Sequence, residues 1–104
     1  VRPAMISSVS LSSLVSGLGV QSRVVETAAA NIANATTGDY ESARGQVVSR
    51  PLQGAAYVPL PPEGEVDLGR EVVNLALAKH SYTAMARAYS SIAETEKRGL
   101  DALA

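Results

Sequence analysis

At 104 residues the chain has room for one domain, and its formal net charge of −1, with Arg and Lys scattered, excludes the basic stripe that drives nucleic-acid binding. It has no cysteine, which excludes disulfides and thiol chemistry. Apolar residues make up 46% of the sequence, but Ala, Val and Leu dominate, Phe and Trp are absent and four Tyr are the only aromatics. Such small side chains let helices approach closely yet bury little area, at about 25 cal/mol per Å².

The first element is expected to be a helix over residues 6–34. Leu11, Leu14, Leu18, Val25, Ala28 and Ile32 fall on alternating three- and four-residue spacings, with Gln21 in the polar slot. That period describes a seam that wants a partner helix. Residues 1–5 are expected to fray, with Ser7 or Ser8 as N-cap. Residues 3–22 carry no charge, but serines and glycines interrupt them and the apolar residues keep helical spacing, so neither a membrane span nor a signal peptide is expected. Gly17 and Gly19 each cost up to about 1 kcal/mol relative to Ala in a helix. They either loosen a turn or admit a neighbouring backbone. Asn31 and Asn34 lie near the helix end, either as C-caps in left-handed geometry or with their amides turned to an adjacent subunit. Thr36, Thr37, Gly38 and Asp39 stop the helix.

Residues 41–65 read as a Pro- and Gly-rich linker that supplies no core. Gln46–Ser49 and Ala55–Leu60 are candidate strands, with Gln53-Gly54 turning a hairpin between them. Two strands alone are marginal in water. Leu60, between Pro59 and Pro61, is expected in a solvated segment. The acidic cluster of Glu63, Glu65, Asp67 and Glu71 is read as a solvated helix start rather than a metal site.

The second helix is expected over residues 66–103. Asp67 is its N-cap candidate, Glu71 lies in the first turn, and Lys97 and Arg98 lie near the end, all in accord with the helix dipole. Glu94 and Arg98 form an i,i+4 pair. Its heptad series is Leu68, Val72, Leu75, Tyr82, Ala86, Tyr89, Ala93, Leu100 and Leu103, interrupted by Lys79 and Glu96. Asn is disfavoured inside a helix, so Asn74 points to a hydrogen bond with another helix or subunit. The only histidine, His80, has no nucleophile oriented on it, and no phosphate loop or carboxylate pair stands out. The expected fold is mainly α: two long antiparallel helices forming a coiled-coil pair, joined by a short linker with a small β-hairpin. No enzyme activity, metal or cofactor is expected.

Three stretches together carry a family resemblance: Ser16-Gly17-Leu18 with Gln21-Ser22; Ala30-Asn31-Ile32-Ala33-Asn34-Ala35-Thr36 followed by Gly38 and Tyr40; and Val66-Asp67-Leu68 followed by Glu71, Val73-Asn74-Leu75, Ala78, Tyr82 and Ala84. In order and combination they resemble the terminal signatures of the bacterial flagellar rod, hook and hook-associated proteins. Ala30 stands where the family has the first of two Asn, and Asp39 separates Gly38 from Tyr40. The resemblance implies a structural axial subunit of rod type, in the periplasmic rod of the basal body, exported through the flagellar type III apparatus without a cleaved signal peptide. Its implied partners are its own copies and other rod or hook subunits. The implied assembly interface comprises Leu11, Leu14, Leu18, Val25, Asn31, Ile32 and Asn34 on the first helix, and Leu68, Val72, Asn74, Leu75, Tyr82 and Tyr89 on the second. Two other readings stand beside it: a peripheral lipid- or surface-binding helical hairpin, and a soluble flagellar export adaptor. The uncharged stretch before Arg23 lacks the Lys/Arg-rich polar face that the lipid reading wants.

Overall fold

The structure, a computed structural model, describes residues 3–103. Helix α1 (Pro3–Ala33) leads into strands β1 (Arg44–Arg50) and β2 (Gly54–Leu60), and helix α2 (Leu68–Leu103) closes the chain. The architecture is mainly α, with a two-stranded antiparallel hairpin between two long helices. The helices run antiparallel: Gly17 meets Met85, while Val24 and Ala28 lie by Glu71 and Asn74.

Helix α1 begins earlier than its serines suggest. Ser7 and Ser8 lie inside it, and Pro3 to Met5 are helical rather than frayed; residues 1–2 lie outside the described residues. Neither glycine breaks the helix. Gly17 is buried, and a Cβ there would stand 2.9 Å from Met85 Sδ, so it is a site of close approach; Gly19 faces open space. The helix ends on Asn34, whose backbone N–H and side-chain Nδ2 both donate to Ala30 O, at 3.0 and 2.9 Å. Neither Asn31 nor Asn34 takes up left-handed geometry. Asp39 does, with φ 66°, and it reverses the chain toward β1.

The hairpin is longer than its expected strands because Arg44 and Gly45 extend the pairing to Leu60 and Pro59. Its turn spans Arg50 to Gln53, closed by Gln53 N–H donating to Arg50 O at 3.2 Å, rather than lying at Gln53-Gly54. Pro51 at the second position and Leu52 with φ 65° at the third give the type II sign pattern. Below the strands, Ser42 N–H donates to Gly64 O at 2.8 Å and Glu63 N–H donates to Ser42 O at 3.0 Å, so the base is tied shut. Leu60 is half-buried in β2 rather than solvated.

Helix α2 starts as its sequence indicates: Arg70 N–H donates to Asp67 Oδ1 at 3.1 Å, the N-cap bond. The seam it presents to α1 does not follow the bulky apolar series. The buried Glu71 and Ala78, with half-buried Asn74, Ser81, Met85, Ala88 and Ile92, lie one position before the expected seam, of which Leu75, Ala86 and Ala93 are also half-buried. One position is about 100° of helix rotation. On α1 the buried positions are Gly17, Val20, Ala28 and Asn31, of which Ala28 lies on the expected series, while Leu11, Leu14, Leu18, Val25 and Ile32 are half-buried flanks. The contact is built from small and polar residues, which let the axes approach, and larger residues straddle it.

Candidate assembly surface

The hairpin packs on α1, and the bonds that hold it there come from polar residues along one face of that helix. Ser16 Oγ donates to Ser13 O at 2.9 Å and accepts from Ala55 N–H at 3.1 Å. Thr27 Oγ1, which donates to Arg23 O at 2.9 Å, meets Tyr57 OH at 2.8 Å, and the Arg23 guanidinium lies 5.1 Å from the Tyr57 ring centre. That ring crosses Gly45, where a Cβ would collide with it. Gly54 combines φ 84° with a Cβ direction blocked by Ser16 Oγ, so neither the turn nor the helix contact tolerates a side chain there.

Asn31 is the third anchor and has no exposure at all, 0%. Its Nδ2 donates to Ala43 O at 3.0 Å, and its Oδ1 accepts from Ala43 N–H at 2.8 Å and from Tyr40 OH at 2.9 Å. The side-chain amide thus bonds Ala43 as a neighbouring strand would, and fixes where the chain re-enters after α1. The expectation that Asn31 bonds an adjacent subunit is corrected: its amide is consumed within the chain. Asn34 is likewise engaged locally, with Thr37 Oγ1 at 3.3 Å from its Oδ1. Asn74 is half-buried at the start of the seam beside Glu71.

The displaced seam leaves most of the α2 apolar series outside. Leu68, Val72, Tyr82, Tyr89, Leu100 and Leu103 are exposed, with Tyr82 at 44% and Tyr89 at 37%. Leu75 is half-buried and, with Val25, Lys79 and Tyr82, lines an apolar groove of about 350 Å³ between the helices. Val73 and Leu77 are also exposed, on the other side of the inward seam. The exposed members of the apolar series share one flank of α2, interrupted by Lys79 and Glu96. No helix among the described residues is long and apolar enough to cross a membrane.

Sequence reading missed the residues that dock the hairpin: Ser16, Arg23, Thr27, Tyr40 and Tyr57. A signal was present. Ser16, Arg23, Thr27 and Asn31 recur at spacings of seven, four and four, one face of a helix. Comparison with known proteins yields no matching family model and no matching curated protein.

Proposed function

We propose that this chain is a rod-type axial subunit of the bacterial flagellar basal body, which polymerises through its two terminal helices with its own copies and with other rod or hook subunits. The motif order in α1 and α2 supports the system. The observation that carries the assembly role is the apolar series of α2, interrupted by Lys79 and Glu96, most of which is left exposed outside the intrachain seam. A periodic stripe on a straight helix is what a further helix packs against. Joined head-to-tail, such contacts do not close on themselves and so build a helical tube. In this reading the antiparallel pair is the unit that stacks, and its rigidity transmits torque along the periplasmic rod. Export through the flagellar type III apparatus belongs to the same reading. A thin core supports it too, since a chain with little tertiary burial threads an export channel readily: the fully buried apolar residues among those described are Val20, Ala28 and Ala78.

The test compares two variants expressed in a strain lacking the native gene. Tyr82→Glu with Tyr89→Glu places charges on the stripe at positions already exposed. Leu52→Asp places one at the hairpin tip. Purified basal bodies are probed for the subunit, with total cell level and helical circular dichroism as controls. The stripe variant is expected to be absent from basal bodies while Leu52→Asp is incorporated. Equal incorporation of both removes the stripe as the assembly contact, and absence of the unmodified chain from basal bodies removes the flagellar reading.

A further inference from the structure

The two charges that interrupt the outer series of α2 are placed symmetrically within it. From Val72 to Leu103 the series advances by alternating steps of three and four, so its spacing is the same read in either direction. Lys79 lies seven positions inside Val72, and Glu96 lies seven positions inside Leu103. Neither has a partner within the chain. The ion pairs among the described residues are Arg44–Glu63 and Arg98–Glu94, and no opposite charge stands three or four positions along the helix from Lys79 or from Glu96. Lys79 borders the groove of about 350 Å³ lined by Val25, Leu75 and Tyr82, while Leu100, at the other end of the series, is 63% exposed. Isolated charges in an otherwise apolar helical seam select one alignment of the partner helix, the one that brings them an opposite charge.

We propose that two copies of this chain pair through α2 about a two-fold axis, with the helices antiparallel and Lys79 of each copy facing Glu96 of the other. The same alignment sets Tyr82 against Ala93 and Tyr89 against Ala86, a large side chain against a small one in each layer. Toward the ends it sets Leu75 against Leu100, so the second copy's Leu100 enters the groove beside Leu75. The contact runs over Val72–Leu103, about 48 Å at 1.5 Å per residue. Neighbouring alignments are worse. A shift of one layer sets Lys79 against Tyr89 or Leu103, and Glu96 against Val72 or Ala86, so every charge meets an apolar side chain. A parallel pair in register sets Lys79 against Lys79 and Glu96 against Glu96, which repel. The antiparallel pair is isologous and closes on itself. It is therefore a form of the free chain, separate from any polymer, in which the surface that would meet other subunits is covered. It requires the exposed series of α2 and not the flagellar reading.

The test is sedimentation equilibrium of the full purified chain with two charge reversals, separate and combined, and helical circular dichroism as the control for folding. The unmodified chain is expected to pass from monomer to dimer with concentration and no further. Lys79→Glu and Glu96→Lys each put like charges at both facing pairs, and each should weaken the dimer about tenfold. The doubly reversed chain again has opposite charges at both pairs and should dimerise as the unmodified chain does. An equimolar mixture of the two single variants should dimerise more tightly than either alone. Single reversals that leave the dimer unchanged overturn the antiparallel pair, because that is the result for a parallel pair or for contact on another face. A doubly reversed chain as weak as the single variants overturns the facing of Lys79 and Glu96. A chain that stays monomeric to millimolar concentration overturns self-pairing and leaves the series to other proteins, while species larger than dimers overturn the closed pair. Basal-body incorporation plays no part in these outcomes, so failure of the pair and failure of the rod-subunit reading are separate results.

Discussion

The residue on which this fold turns is Asn31. It is fully buried and satisfies three hydrogen-bonding groups at once, the Ala43 amide and carbonyl and the Tyr40 hydroxyl. Asn31→Ala strands all three and opens a small void. The expected loss is about 2–4 kcal/mol in urea unfolding, since each stranded buried group carries a desolvation cost of 1 kcal/mol or more. Tyr40→Phe should lose about 1 kcal/mol, a single bond to an amide that keeps its other partners. Similar losses for the two variants would mean that the amide network is not what holds the hairpin base. At the tip the strain is local. Leu52 is 98% exposed yet sits at φ 65°, where a side chain costs about 1–2 kcal/mol. Leu52→Gly should raise stability by about 0.5–1 kcal/mol, the relief offset in part by the added freedom of the unfolded chain. The importance of Asn31 was legible in its motif. Its direction was not, because an amide near a helix end faces its own chain or a neighbour according to where residue 43 returns, and spacing along one helix carries no record of that return.

At the scale of elements, the two helices and the hairpin were legible, and the seam was displaced by one residue. Heptad reading follows the bulky residues, and in α2 these are Leu68, Val72, Tyr82 and Tyr89. The helices instead meet on Gly17, Ala78 and Ala88, together with Ala28, which does belong to the heptad series, because close approach of the axes favours small side chains at the centre of contact. Asp67 as N-cap was readable because a cap is a local event within one turn. Hairpin docking was not, because it depends on polar side chains of α1 reaching residues up to 39 positions away. Gly54→Val should release the hairpin from α1, both by its blocked Cβ direction and by a left-handed φ that a β-branched residue resists. Faster hydrogen exchange across Arg44–Leu60, with α2 protection retained, is the expected record. Helix α1 also needs its partner. A peptide of residues 1–40, with Gly17, Gly19 and many serines, should show weak helical circular dichroism at low concentration in plain buffer. Strong helicity in that peptide would mean that α1 forms without α2.

The whole molecule is a rod, 62 × 23 × 14 Å, long for its mass and thin in cross-section. A section that narrow buries few residues completely, and low stability as a single copy is expected from that geometry. In the proposed assembly, burial missing within the chain is made up between chains, along the exposed series of α2. The central claim is that this stripe contacts other subunits while the small-residue seam stays internal. Because the sequence has no cysteine, a single introduced thiol reports on one position only. The most direct measurement is photo-cross-linking in isolated basal bodies from a benzophenone maleimide attached to Tyr89→Cys, with the same label on Ala88→Cys, one residue away on the seam, beside it. The account predicts a covalent adduct to a neighbouring subunit from labelled Tyr89→Cys and none from labelled Ala88→Cys. Cross-linking from Ala88→Cys with none from Tyr89→Cys would contradict it, and would place the intersubunit contact on the seam assigned here to the chain itself.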